Sequence, residues 1–414
     1  MGEEPLRLAF IGCGGMSRTH LRAWGGLRRK GAAFTVVGVA DPVSALAAGH
    51  AEAVAGWQGH APAIHADWRR MIEECKPDAV DVCTPHHLHH VVACGCLEAG
   101  VHVIVEKPLA VTLRAARRML AAAERASRVL ALAEQVRRWP GPRALAWAAN
   151  GGPLGTPLLC SIQHVGGARR DPAATAPPQP LPWRLDRMSA GGGVVMDIGV
   201  HMTDLLLHCF GPIRRVTATC RRFADPPYAE GRRASVEDAA LILLEFDGGL
   251  RAMWTHAGCL AGEGVQNNAY YGTGGSLVAP GFYPRAPRFT GPDRATVHEA
   301  REFVGAYLAA LPETERERLF PAWVMPGPDW PAADPLHQQG SDLGVQLELA
   351  DFLGAIRHRR PPEVGGAEGM AAQAVAAAIL ESAELQGRPL SVADVASGRV
   401  SGYQDPIDAA LDLL

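Results

Sequence analysis

The stretch Leu6-Arg-Leu-Ala-Phe-Ile-Gly-Cys-Gly-Gly-Met-Ser17 runs from a short apolar strand through glycines into a helix-like segment, Ser17–Arg29. Gly12 permits a tight turn, and Gly14 lets backbone come close to a ligand. Gly15 and Met16 complete a loop that opens a helix, where N–H groups suit a pyrophosphate. Ser17 stands where the pattern usually has Gly or Ala, a mild departure. A second strand-like run, Phe34–Ala40, stops at Asp41, where an acid suits the hydroxyls of an adenosine ribose. The plainer alternative is a glycine turn with Asp41 capping the next helix. Taken together, the strand, loop, helix and acid predict a dinucleotide site. Asp41 favours NAD over NADP, because its carboxylate would repel a 2′-phosphate.

The same alternation continues outward. Ser44–Ala55 reads as a helix, Ala63–His65 as a weak strand and Trp68–Glu74 as a helix. Ala79–Cys83 is a strand, Leu88–Ala99 a helix, Val101–Val105 a strand, Thr112–Ala126 a helix and Val129–Ala133 a last short strand. Continuous apolar strands of about five residues between helices predict a parallel sheet covered on both faces. Residues 1–135 are thus expected to form an α/β, doubly wound Rossmann domain. After about Pro140 the character changes. Asp171–Pro182 reads as a loop, and Gly191–Phe210 as one long helix. Val216–Arg221, Ala239–Phe246 and Leu250–His256 are strand-like without helices between them, and Asp247-Gly248-Gly249 signals a hairpin. Residues 136–414 are therefore expected to form an α+β domain with an antiparallel sheet. Residues 280–335 are rich in Pro and Trp and predict irregular structure. Helices are expected over 343–357 and 367–386, and these can pack back on the first domain.

The 414 residues are 48% hydrophobic and 20% charged, with a net charge of −3, which excludes a disordered chain and a small disulfide scaffold. No basic excess is available to grip nucleic acid or anionic lipid, so neither is an expected partner. No apolar run reaches the ~18 residues of a membrane span. The acidic start, Met1-Gly2-Glu3-Glu4, is unlike a secretory signal. Nine cysteines without a C-x-x-C pair predict reduced thiols, Cys94 and Cys96 included, in a cytoplasmic enzyme or sensor.

Two further segments carry chemistry. Thr84-Pro85 ends the fourth strand and leads into His86, His87, His89 and His90. Such a cluster suggests either a metal or exposed imidazoles at a helix start. No carboxylate or Cys accompanies it, so no metal is assigned. The fifth strand ends in Glu106-Lys107-Pro108-Leu109. Ligands of open α/β sheets bind beyond the carboxyl ends of the strands, which places both segments at the crevice. Lys107 is either a surface cation or, in that crevice, a group able to move protons. On the helix expected at 191–210, Asp197, His201, Asp204 and His208 fall within about 60° of one another. Val194, Ile198, Met202, Leu205 and Cys209 form the adjoining apolar stripe.

Together these segments resemble the glucose–fructose oxidoreductase / inositol dehydrogenase / rhizopine catabolism (Gfo/Idh/MocA) family of NAD(P)-dependent oxidoreductases. Gly12-Cys-Gly-Gly-Met16, Thr84-Pro85 with His89, and Glu-Ala-Gly-Val-His-Val-Ile-Val-Glu-Lys-Pro (98–108) carry the resemblance. So do Trp183-Arg184, Gly-Gly-Gly-Val-Val-Met-Asp-Ile-Gly-Val-His-Met-Thr-Asp (191–204) and Gly272-Thr-Gly-Gly-Ser276. The resemblance implies a Rossmann domain, an open-faced antiparallel sheet domain and a Lys107–Pro108 bond that is often cis. It also implies that Lys107, Asp197 and His201 surround the reacting carbon of a sugar or polyol.

Under that resemblance His201 suits the departing proton, and Asp197, one turn away, would orient or charge-stabilise the imidazole. Lys107 would polarise the oxygen, and either Lys107 or His201 is the formal base. Asp204 and His208 are supporting or structural residues. Cofactor contacts are expected from Thr84, Pro85, His89, Glu106, Gln135, Trp183 and Arg184. Arg137 and Arg138 are either near the nicotinamide or surface charges. His256 and His337 are candidate substrate contacts. The expected activity is NAD-dependent hydride transfer at a secondary hydroxyl of a sugar, cyclitol or glycoside, in a homodimer or homotetramer. The alternatives are an NAD-dependent glycosidase working by transient oxidation and elimination, and a non-catalytic dinucleotide sensor.

Overall fold

The computed structural model describes residues 4–166, 182–224, 228–260, 262–325 and 342–414. The first sheet has six parallel strands: β1 (Leu6–Ile11), β2 (Phe34–Ala40), β3 (Ala63–His65), β4 (Ala79–Val82), β5 (His102–Glu106) and β6 (Leu130–Ala133). Their order is β3-β2-β1-β4-β5-β6. Every residue of β4 and β6 is buried, as a sheet covered on both faces by helices requires. Chain direction across the sheet reverses between β1 and β4, and the crevice above that switch point is where open α/β sheets take ligands. The expected doubly wound fold is present, and the Lys107–Pro108 bond is cis.

The second sheet has nine strands: β7 (Pro157–Val165), β8 (Ile213–Arg221), β9 (Ala239–Phe246), β10 (Arg251–Ala257), β11 (Val265–Gly272), β12 (Gly275–Pro280), β13 (Arg288–Thr290), β14 (Val297–His298) and β15 (Leu390–Ser391). The order is β14-β13-β12-β11-β7-β10-β9-β8-β15. The sheet is mixed rather than purely antiparallel, because β7 and β10 pair in parallel. The chain leaves β7 through the helical stretch before β8, a crossover long enough to return a strand in the same direction. One face is covered by the helices Gly199–Phe210 and Gly366–Glu384. The other turns Leu241, Leu243, Leu159 and Met253 outward, each about half exposed.

Two expectations are corrected. The stretch at 280–335 is not irregular throughout. It holds β13, β14 and the helices Ala300–Ala310 and Glu313–Leu319, while 326–335 lie outside the described residues. A reciprocal Glu299/Glu302 cap starts the first of these helices, and its Phe303, Val304, Tyr307 and Leu308 are buried. Nor is 191–210 one helix. It breaks at Ile198 into Val194–Asp197 and Gly199–Phe210, with a 49° bend between Arg187–Asp197 and the latter. The buried carboxylate of Glu237 accepts the N–H groups of Gly193 and Val195 at 2.9 and 3.0 Å and anchors the short first helix. Backbone passes so close there that a Cβ on Gly193 would lie 1.8 Å from the Glu237 carbonyl oxygen. The loop expected at 171–182 lies, except for Pro182, outside the described residues.

The C-terminal helices bind the two halves together. Asp342–Arg357 packs on Gly15–Arg29, and Gly366–Glu384 touches Leu113–Ala126, β8 and Gly199–Phe210. The Gln373 amide pairs with both backbone groups of Ala110, accepting from N–H at 3.1 Å and donating to C=O at 2.7 Å. Its neighbour Ala372 accepts a hydrogen bond from the Thr203 hydroxyl at 3.0 Å. Among the described residues no single helix is long and apolar enough to cross a membrane.

Candidate active site

A cavity of about 710 Å³ opens above the β1/β4 switch point. Gly12, Gly14, Gly15, Met16 and Asp41 line it, and so do Thr84, Pro85, His86, His89, Glu106, Lys107, Trp183 and Arg184. Gly12 has φ +86°, and a Cβ there would meet the Cys83 carbonyl oxygen at 2.4 Å. Gly14 and Gly15 are the converse: a Cβ on either would meet no atom within 4 Å. The helix Gly15–Arg29 has no side-chain cap, so its first N–H groups face that free space. Asp41 is buried at the adenosine end. Its carboxylate accepts the N–H groups of Cys13 and Val43, both at 2.8 Å, and each oxygen keeps a second lone pair for a ribose hydroxyl. Bracing the turn therefore leaves Asp41 able to accept from a ribose hydroxyl, and these residues fit a dinucleotide.

The far end of the cavity holds the charged groups. Lys107 Nζ donates to the Asp197 carbonyl at 2.6 Å and to its carboxylate at 3.0 Å. Arg184, lying 4.5 Å over the Trp183 ring, approaches the same carboxylate at 3.4 Å. Burial opposes ionisation of Asp197, but Lys107 above all, with Arg184, outweighs it and holds its pKa at about 2. His86 is kept neutral by burial and sits 3.0 Å from the Ala190 carbonyl through Nδ1. His89 ties Pro108 to Thr84, with ring nitrogens 2.8 and 3.0 Å from their carbonyl oxygens.

His201 is oriented by a residue that the sequence reading did not name. Its Nδ1 lies 2.7 and 2.9 Å from the two oxygens of Glu134, which also accepts the Val136 N–H at 2.9 Å. Burial raises the Glu134 pKa less than His201, that N–H and Arg137 lower it, so the group stays ionised. An ionised carboxylate only accepts, so the Nδ1 proton is fixed and Nε2 is the nitrogen left for other chemistry. Asp197 therefore does not orient His201: the break at Ile198 turns it towards Lys107 instead. One member of each pair, Lys107 and Glu134, lines a second, small cavity.

A family model described as "Oxidoreductase family, NAD-binding Rossmann fold" matches residues 6–134, and "GFO/IDH/MocA C-terminal domain" matches 143–278. The chain belongs to the Gfo/Idh/MocA family. It is 30% identical over 263 residues to the D-glucoside 3-dehydrogenase of Escherichia coli, covering 60% of this chain and 69% of that one. To the 1,5-anhydro-D-fructose reductase of Ensifer adhaerens it is 40% identical over 129 residues, 31% of this chain and 36% of the reductase. The chain thus spans well under two thirds of that second relative. An oxidoreductase domain protein from Kribbella flavida superposes with a TM-score of 0.76 at 26% identity, covering 94% of this chain and 99% of its own.

The remaining residues singled out in this Gfo/Idh/MocA sequence sort by place. Arg137 and Arg138 are buried, not surface charges. Arg137 forms a two-pronged ion pair with Asp204, with Nε 2.6 Å from Oδ2, and Arg138 pairs with Asp351 and Glu363. Asp204 is thus committed to holding the helix under His201. His208 is half-buried, and burial together with Arg137 and Arg143 lowers its pKa to about 3. Gln135 does not line the nucleotide cavity, and its amide oxygen is buried without a hydrogen-bond partner. His256 is buried on β10 beneath Phe282, away from that cavity. His337 lies outside the described residues. The signal that could have found Glu134 is its place, immediately after β6 at the carboxyl end of a parallel strand.

Proposed function

We propose that this chain is an NAD-dependent dehydrogenase acting on a secondary hydroxyl of a sugar, cyclitol or glycoside, with Lys107, Asp197, His201 and Glu134 as its catalytic machinery. The supporting observation is that Lys107, bound to Asp197, lines the cavity that begins at the glycine loop, and that a second, small cavity runs from Lys107 to Glu134, the partner of His201. Relatives named for sugar derivatives favour a carbohydrate substrate. The bound dinucleotide would supply the hydride acceptor.

The chain's own residues handle the proton. A Lys ammonium has three N–H bonds, and Asp197 takes two of them. The third is left to donate to the substrate oxygen and stabilise negative charge growing there. His201 Nε2 accepts the hydroxyl proton as the carbon gives up its hydride, and Glu134 balances the imidazolium that results. In the reverse direction the same imidazolium returns the proton. Asp41 supports a preference for NAD over NADP.

The nucleotide-binding unit is proposed to end near residue 135. Cys13, Cys75, Cys83, Cys94, Cys96, Cys160, Cys209 and Cys220 are free thiols, which supports a reducing, cytoplasmic setting. The outward Leu241, Leu243 and Met253 support assembly as a homodimer or homotetramer. The test is a panel of sugars and polyols incubated with NAD, read by NADH absorbance and by mass spectrometry of the products. Substrate-dependent NADH together with a product two mass units lighter is expected. Product formation without net NADH would instead indicate the glycosidase chemistry and overturn the dehydrogenase reading.

A further inference from the structure

Residues 281–285 follow β12 and lie just beyond the stretch matched to the family's C-terminal domain. They nevertheless reach the candidate active site. Tyr283 stands edge-on to His201, with ring centroids 5.6 Å apart and planes at 80°. Phe282 stacks on His164 at 4.1 Å and buttresses Tyr283 at 4.9 Å. The segment is pinned at both ends. Gly281 donates to the Gln266 carbonyl at 3.0 Å and accepts from the Asn268 amide at 2.9 Å. At the other end the Arg285 guanidinium lies 3.4 Å over the Trp139 ring. Backbone there presses on Gly141 so tightly that a Cβ on that glycine would be 2.0 Å from the Arg285 carbonyl oxygen. This is a fixed shelf and not a swinging flap.

We infer that Tyr283, buttressed by Phe282, is a specificity-determining residue that selects a neutral sugar ring carrying neither phosphate nor carboxylate. The inference rests on the oxidoreductase reading above and extends it to the class of substrate. A molecule seated against His201 would meet the Tyr283 ring that stands beside it. An aromatic ring offers the C–H face of a pyranose a large, rigid, apolar contact. The phenol adds one polar atom. Burial, and then the nearby carboxylates of Glu134, Asp197 and Glu106, push its ionisation well above the ordinary tyrosine range, so it remains a neutral donor to one hydroxyl. Among the described residues, Lys107 and Arg184 are already committed to Asp197 and Arg137 to Asp204, while Arg285 lies over the Trp139 ring. An anionic group on the substrate would meet Glu134 and Asp197 and would have to compete for cations they already hold.

The experiment compares the wild type with Tyr283→Phe and Tyr283→Leu on methyl pyranosides, on their uronate and 6-phosphate counterparts, and on a short acyclic polyol. NADH affinity is followed by fluorescence, and binding of a methyl pyranoside to the NADH complex by calorimetry. The wild type should favour the neutral rings at least a hundredfold in kcat/KM. Tyr283→Phe should raise KM for them about tenfold, with a smaller change in kcat. Tyr283→Leu should lose a further tenfold on rings but not on the acyclic polyol, with NADH affinity held within twofold throughout. Equal KM values in wild type and Tyr283→Leu, or a uronate or phosphate as the better substrate, would overturn the inference. A wild type that oxidises nothing overturns the oxidoreductase reading instead. The calorimetric arm then still decides the shelf: pyranoside binding weakened in Tyr283→Leu supports it, and absent or unchanged binding overturns it.

Discussion

Glu134 grips His201 through one ring nitrogen only, with both carboxylate oxygens within 2.9 Å of Nδ1. The pairing fixes the tautomer, which makes it testable without moving the imidazole. In Glu134→Gln the amide can turn either its oxygen or its NH₂ to Nδ1, so Nε2 is no longer reserved as the base. We expect kcat to fall about 10²–10⁴-fold, the usual size of a general acid–base contribution, with little change in NADH affinity. His201→Ala should fall in the same range. The double variant Lys107→Met, His201→Ala should cost less than the product of the singles, because both serve one proton transfer. A Glu134→Gln enzyme with wild-type kcat would reduce the pair to a structural contact.

Acidity gives a second handle. Asp197 ionises at about 2 in the folded chain, against about 4 when unfolded. A carboxylate with a depressed pKa contributes stability above its unfolded value, and that contribution is lost as pH falls towards the folded one. Between pH 5 and pH 2 the wild type should lose on the order of 1–2 kcal/mol that an Asp197→Asn variant does not lose. Urea midpoints measured at several values in that window check it. Parallel losses in the two proteins would show that Asp197 gains nothing from Lys107.

The nucleotide loop predicts a contrast between two glycines. Gly12→Ala must place a methyl group on the Cys83 carbonyl at positive φ, so it should destabilise the fold by about 2 kcal/mol or more. Gly14→Ala has free space on the folding side, and its methyl enters the volume reserved for the pyrophosphate. It should keep the wild-type Tm and bind NADH at least tenfold more weakly. Differential scanning fluorimetry with and without NADH separates the two. Equal NADH affinity in Gly14→Ala would move the dinucleotide off this loop.

The outward face of the second sheet sets up a further test. Leu243 and Met253 are cross-strand neighbours on β9 and β10, and both are about half exposed. Leu243→Lys together with Met253→Lys should convert an oligomer to monomers in light scattering at micromolar concentration, leaving the circular dichroism spectrum intact. A wild-type monomer under the same conditions would refute the assembly surface.

The half of the molecule around β1–β6 was legible because its strands are short, uniformly apolar runs and its helices alternate with them. β7 and β11 were not. Pro-Leu-Leu-Cys-Ser-Ile-Gln-His-Val and Val-Gln-Asn-Asn-Ala-Tyr-Tyr-Gly mix polar residues into both faces, and their buried polar groups, His164 and Asn268, satisfy each other only across the paired strands. The break at Ile198 was hidden for a different reason. The apolar stripe of Val194, Ile198, Met202 and Leu205 runs through it without interruption, and the carboxylate that anchors the start of the short first helix, Glu237, lies far along the chain. Lys107, Asp197 and His201 could be singled out from their motifs. The partners that set their protonation could not, since His201 and Glu134 are 67 positions apart and only the fold brings them together.

Adjacent residues on one helix, Ala372 and Gln373, hold Thr203 of the His201 helix and Ala110 of the Lys107 loop. That helix works as a splint across the reaction centre. The segments that carry His201 and Lys107 are thereby tied to neighbouring residues of one helix, which sets the spacing between them. Evolution or engineering that seeks a new substrate is then free to rebuild the rim, where Tyr283 stands, while the distance between acid–base partners is inherited unchanged.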